Sequence, residues 1–321
     1  MKSQVIQGEP PSSPAHGEVP VVELGRRDAI HPRKEALVMR SQVLARHPVV
    51  GMVVLTYAIS WCLLPFGTFL PFGPLVAAVV VAALTEGWRG LRRLGGRVIR
   101  WRVGWVWYAA ALVLPIAAHA VTLLASAVSG APAPSLWSGG PWYALVLVVA
   151  VRLIDPLDGP LGEDPGWRGF AQPRLQATRS PLRATAILCL VVTGWHLPLY
   201  FISSFGLRPF EAVSTIACTV VYAWLFNRSG GSVLIPLLAH AVEGSVRLSA
   251  VWSADADITR AKVWYAAGWA AIAAALLLLD RRAWVVSPTG AQDADSTSTP
   301  SPSPPTSSGL PLKLSQRQGS R

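Results

Sequence analysis

Ten side chains that carry charge or an imidazole fall within or beside the apolar stretches of this 321-residue sequence: His119, Arg152, Asp155, Asp158, Glu163, Asp164, Arg168, His196, His240 and Glu243. Such groups are costly in a hydrocarbon environment, so each raises the question of a task. Helical spacing sorts them. Asp164 and Arg168 stand four apart, share a face and can form an ion pair. Glu163 turns instead to the side of Trp167 and is left free. Pro165 suits a first helical turn, where its missing N–H costs little, and this places Glu163 and Asp164 at a helix N-terminus. Gly166 and Gly169 allow a neighbouring backbone to come close.

The only strong turn signal between residues 165 and 200 is Thr178-Arg179-Ser180-Pro181-Leu182. If the flanking helices form a hairpin about Ser180, Glu163 lies 17 residues before the apex and His196 lies 16 after it. At about 1.5 Å per residue the two are level, so a carboxylate stands beside an imidazole. His240 lies mid-way along a later apolar segment, with Glu243 three residues on and on the same face. One carboxylate and two imidazoles from three helices can activate a water molecule in two ways. They can act as general base and oxyanion donors, or as ligands of a divalent metal such as zinc. The other polar groups receive structural readings: Arg152, Asp155 and Asp158 pair with one another near an interface, and His119 is a satisfied core histidine.

These groups are positioned by a membrane protein. Of the residues, 52% are hydrophobic and only 14% charged, against about a quarter charged in soluble domains; the mean hydropathy is +0.41. Apolar segments fall at 48–65, 70–86, 103–127, 142–158, 184–204, 209–226, 231–248 and 263–280, several near the roughly 20 residues that cross a bilayer. The expected fold is all-α, a polytopic transmembrane bundle of about eight helices. Residues 48–282 form the working domain. Residues 1–47 and the Pro/Ser/Thr-rich 283–321 form tails unable to bury a core; a short helix is expected near Lys34–His47.

The net charge of +11 does not point to nucleic acid, because the cations cluster in connectors: seven Lys and Arg before residue 48 and six in 87–102, but none in 66–72 or 128–141. That alternation is the positive-inside pattern and puts both termini in the cytoplasm of a protein of the plasma membrane. Arg247, Arg260 and Lys262 conflict with it, since they flank an expected outer loop. Trp101, Trp105, Trp107 and Tyr108 read as an interfacial belt. Cys62, Cys189 and Cys218 lie within apolar runs and imply neither disulfides nor a zinc knuckle.

The stretch Glu163-Asp164-Pro165-Gly166-Trp167-Arg168, continuing GFAQPRLQ, resembles the first motif of the CPBP family of intramembrane proteases, the CAAX prenyl endopeptidase and bacteriocin-processing proteins. That motif is Glu-Glu-x-x-x-Arg, often within a stretch close to EEPGWRGFALPRLQ. WHLPLYF with His196 resembles the second motif and AHAVEG with His240 the third, over about residues 140–248 in all. The resemblance implies an endopeptidase acting on a membrane-associated peptide or protein. Glu163 would activate water, and His196 and His240 would orient it or, in a metal-dependent form, bind metal together with Glu163. Asp164, Trp167, Arg168 and Glu243 would support them. Three departures stand out. Asp164 replaces a glutamate and shortens the arm toward Arg168. Val192 replaces a common phenylalanine. Gly244 stands where the third motif has asparagine, and loss of one oxyanion donor costs about 100- to 1,000-fold in rate. The alternative reading rests on Gly244: a degenerate member acting as a membrane scaffold or a bacteriocin self-immunity protein.

Overall fold

Prolines open many of the helices of this chain. The computed structural model describes residues 44–133, 141 and 143–285. Within them proline takes the first or second position of α1 (Pro48–Trp61) and α2 (Gly73–Val98), where its missing N–H removes nothing. Then follow α3 (Trp105–Val128), α4 (Tyr143–Ile154) and α5 (Gly159–Asp164). A π-helical turn, Pro165–Ala171, leads directly into α6 (Gln172–Gln176). Beyond it are α7 (Pro181–Trp195), α8 (Leu197–Phe201), α9 (Ala212–Arg228), α10 (Leu234–Glu243), α11 (Leu248–Val251) and α12 (Asp255–Leu279). The described residues form helices and turns with no strand.

Among the described residues six helical segments are long and apolar enough to cross a membrane: Pro48–Phe66, Gly73–Val98, Trp105–Val128, Pro209–Arg228, Leu234–Val251 and Asp255–Leu279. The expected polytopic helical bundle is therefore present. The other two expected crossings are short, because Pro156 ends α4 after 12 residues and α7 has 15. The basic stretch expected as a connector is also different, since α2 runs through it to Val98. The helix breaks only at Gly87, whose φ of 60° and ψ of −147° suit glycine alone. Beyond the break Arg97 donates to the Gly169 carbonyl at 3.2 Å, and Arg100 donates to that of Gly230 at 2.8 Å. The cations there tie the bundle together as well as marking its face.

Two aromatic cores organise the helices. One gathers Met52, Val81, Trp167, Phe170, Leu188 and Trp195; the other Tyr222, Leu225, Ile235, Ala239 and Trp269. Of the expected tails, residues 1–43 and 286–321 lie outside the described residues. Packed residues extend past both boundaries: Leu44 packs on the first core, and Ala283 and Trp284 are buried against the second. Two of the three conflicting cations near 250 are locally neutralised, by Arg260–Asp257 at 2.7 Å and Lys262–Glu211 at 2.9 Å. Arg208–Asp255 adds a further pair at 2.8 Å.

Gly162 and Gly166 bring the motif segment against the start of α2. A Cβ on Gly162 would lie 3.0 Å from the Pro71 carbonyl oxygen, and one on Gly166 would lie 2.6 Å from the Pro74 carbonyl carbon. At Gly169 the obstacles are side-chain tips, Leu94 Cδ1 at 2.8 Å and Val233 Cγ2 at 3.3 Å. Gly166→Ala is therefore expected to cost about 1–3 kcal/mol, since backbone cannot give way, and Gly169→Ala distinctly less. Thermal unfolding of the two variants in one detergent measures the difference.

Candidate active site

Pro165 lies inside a continuing helical path. Helix α5 begins at Gly159, after Asp158 as its N-cap, and passes through Pro165 without a break. The expectation of a helix start at Glu163 and Asp164 is thus corrected. A proline N has no hydrogen to give the carbonyl four residues back, and the chain answers by widening to i→i+5 winding from Pro165 to Ala171. Such π turns occur frequently at functional sites.

Asp164 is fully buried and meets two partners. Its Oδ1 lies 3.1 Å from Arg168 Nη1, the expected pair one turn apart, and its Oδ2 lies 3.0 Å from His240 Nδ1. The aspartate arm, shorter than a glutamate's, reaches both. Arg168 lies over the Tyr222 ring, 5.1 Å from its centroid, and that ring stacks on His240 at 5.2 Å with the planes 28° apart. Asp164, Arg168, Tyr222 and His240 therefore form one closed cluster from three segments of chain. Sequence reasoning missed Tyr222. Its signal was a tyrosine amid the apolar residues of α9, which says little alone.

Glu163 and His240 face a common point. A Cβ on Gly159 would lie 3.1 Å from Glu163 Oε1 and 3.5 Å from His240 Nε2, so the two atoms are no further apart than the sum of those distances. Glu163, His196, His240 and Glu243 line one cavity of about 200 Å³, with Arg168, Tyr222 and Tyr265. A water takes about 30 Å³, so the space holds several. His196 caps the end of α7, its Nδ1 2.8 Å from the Val192 carbonyl oxygen, which leaves Nε2 as its unengaged ring nitrogen. Ser180 caps the start of the same helix, accepting from the Arg183 N–H at 3.4 Å. The hairpin apex is where the turn signal put it.

Two expected supports act otherwise than foreseen. Trp167 does not line the cavity; the wide winding after Pro165 turns it into the first core, edge-on to Trp195 at 5.9 Å. Trp195 in turn sits edge-on to the His196 ring at 4.8 Å, so Trp167 buttresses the histidine at one remove. Glu243 accepts from the Tyr265 hydroxyl. Arg152 does pair with Asp158, whereas Asp155 accepts from the Leu157 N–H in a local turn at 2.8 Å. His119 bonds the Pro115 carbonyl oxygen at 2.9 Å, as a core histidine does. Among the described residues no three His, Cys, Asp or Glu side chains gather closely enough to hold a metal ion. Glu163, His196 and His240 share one cavity.

Comparison with known proteins gives these residues a context. Residues 141–245 match a family described as type II CAAX prenyl endopeptidase Rce1-like, and the match runs through all three motifs. A CAAX prenyl protease 2 of Methanococcus maripaludis is 22% identical over 183 residues, covering 53% of this chain and 64% of that protein. The chain thus spans less than two thirds of that relative's length.

The buried cluster yields a stability prediction. Asp164→Ala strips the buried Arg168 of its carboxylate, at a cost of about 3–5 kcal/mol. Asp164→Ala combined with Arg168→Met is expected to recover much of that loss. Unfolding midpoints of the single and double variants, compared in one detergent, check both.

Proposed function

We propose that this member of the CPBP family of intramembrane endopeptidases hydrolyses a peptide bond of a membrane-associated peptide or protein, with Glu163 as general base. The observation that carries this reading is the meeting of Glu163 Oε1 and His240 Nε2 on either side of the bare Gly159 backbone, in a cavity that also holds His196.

The steps follow from the side chains. A water between Glu163 and the histidines gives a proton to the carboxylate as its oxygen attacks the scissile carbonyl carbon. Glu163 then passes that proton to the leaving amine. His240 is aimed by Asp164 and His196 by the Val192 carbonyl, and each keeps Nε2 to hold the water. The Tyr222 hydroxyl is buried beside the Cys218 thiol and lines the same cavity. It is the donor placed to meet the developing oxyanion. No step passes through a metal, so turnover is expected to survive chelators.

Two further cavities support the substrate class. One of about 560 Å³ shares Leu207, Glu211, Glu243 and Tyr265 with the site and is walled by Arg208, Arg247, Asp255 and Lys262, a polar approach for a peptide tail. The other, about 470 Å³ and apolar, lies among Leu112, Ile116, Val146, Val149 and Val242, and suits an isoprenoid chain on the substrate. With six crossings both ends of the domain lie on one side, which we assign to the cytoplasm from the basic α2 segment.

The test uses purified protein in detergent and internally quenched peptides. Half of them carry S-farnesylcysteine, two aliphatic residues and a variable C-terminal residue. Glu163→Gln is expected to lower turnover by at least about 100-fold, the lower end of general-base contributions. Tyr222→Phe is expected to lower kcat by about 100- to 1,000-fold, and His196→Ala and His240→Ala to lower it strongly. The rival reading, a scaffold or bacteriocin self-immunity protein that kept the fold without the chemistry, rests on Gly244. It expects wild type and Glu163→Gln to be equally inert.

A further inference from the structure

Gly244 follows the last residue of α10, its N–H bonded to the His240 carbonyl oxygen at 3.1 Å. Its φ of −82° and ψ of 3° suit any residue, so the backbone does not ask for glycine there. The surrounding space does. A Cβ on Gly244 would collide with Arg152 Nη2 and lie 2.6 Å from Arg152 Cζ. Residue 244 is one turn beyond His240, so its side chain would project on the histidine's face of α10. The guanidinium of Arg152, carried by α4, lies in that volume.

Arg152 also grips a second element. Its Nη1 lies 2.8 and 2.9 Å from the two oxygens of Asp158, the N-cap of α5, whose last turn carries Glu163. Its cation rests where the free carbonyls of the α10 C-terminus concentrate negative charge. Its side chain is only 13% exposed, and Nε is buried with no partner among the described residues. One side chain thus spans the two helices that carry Glu163 and His240.

We propose that Arg152 is a positioning residue for this site, and that Gly244 and Arg152 are a matched pair. The guanidinium takes the place of a side chain at position 244 and sets α5 against α10 at the separation that brings Glu163 and His240 together. This rests on the endopeptidase reading and deepens it. Glycine at 244 is then the room that Arg152 requires. Asparagine restored there alone displaces the guanidinium from Asp158 and impairs the site.

A double-mutant cycle on the full chain tests the assignment, using the quenched peptide that the wild type cleaves fastest. Arg152→Ala and Gly244→Asn are each expected to lower kcat at least tenfold, with KM changed less than threefold. The double variant is expected to be no slower than Arg152→Ala alone, because with the guanidinium gone the asparagine has nothing to displace. Arg152→Lys is expected to keep more activity than Arg152→Ala. Losses that multiply, or single variants within twofold of wild type, overturn the assignment while leaving the endopeptidase standing. A wild type no faster than Glu163→Gln overturns the endopeptidase reading itself, and Arg152 as its positioning residue with it.

Discussion

The buried carboxylate of Asp164 is the contact on which the site depends. A carboxylate withdrawn from water costs several kcal/mol unless its oxygens are met, and here each oxygen faces one partner: Arg168 at 3.1 Å and His240 at 3.0 Å. The first partner lies one turn along the same segment; the second comes from α10, far along the chain. Asp164 therefore orients a histidine and docks a helix at once. Tyr222 closes the arrangement by contacting both the Arg168 cation and the His240 ring. An imidazole held through Nδ1 to a carboxylate keeps its ring plane and presents Nε2 in one direction, toward Glu163.

Close approach of backbones makes that docking possible. Lipid tails give helices little hydrophobic reason to associate, so contact surfaces rely on small residues. Gly162 and Gly166 admit the start of α2, Gly159 opens the space between Glu163 and His240, and Gly244 admits Arg152. None of these four glycines has the positive φ that would demand glycine for conformation alone. Each is bare because something else stands where its side chain would be. The π turn after Pro165 belongs to the same design, keeping Asp164 and Arg168 paired while turning Trp167 into the core that backs His196.

Much of this was legible in the residues. Costly charged groups in an apolar chain, an i,i+4 ion pair and equal spacing about Ser180 set Glu163 beside His196, while nothing local fixed the direction of His240, which joined them through its motif. What the spacing could not carry was winding. A proline that reads as a helix start is also compatible with a π turn, and only packing decides between them. Long-range partners were equally hidden: Asp164 reads as the mate of Arg168, and nothing local reveals that its other oxygen meets His240. Gly244 reads as a missing donor until Arg152 is seen in its place. The lengths of the shorter helices were hidden for a related reason. Hydropathy marks apolar segments but not where Pro156 ends α4 or where α7 stops short at His196.

The tautomer of His240 tests the central contact most directly. Nitrogen-15 NMR of histidine-labelled protein in lipid, with His240 assigned by its alanine variant, reports which ring nitrogen carries the proton. A proton on Nδ1, with a hydrogen-bonded signal that disappears in Asp164→Ala, is the predicted result. A ring protonated only on Nε2, or an Nδ1 signal indifferent to the loss of Asp164, would contradict the account.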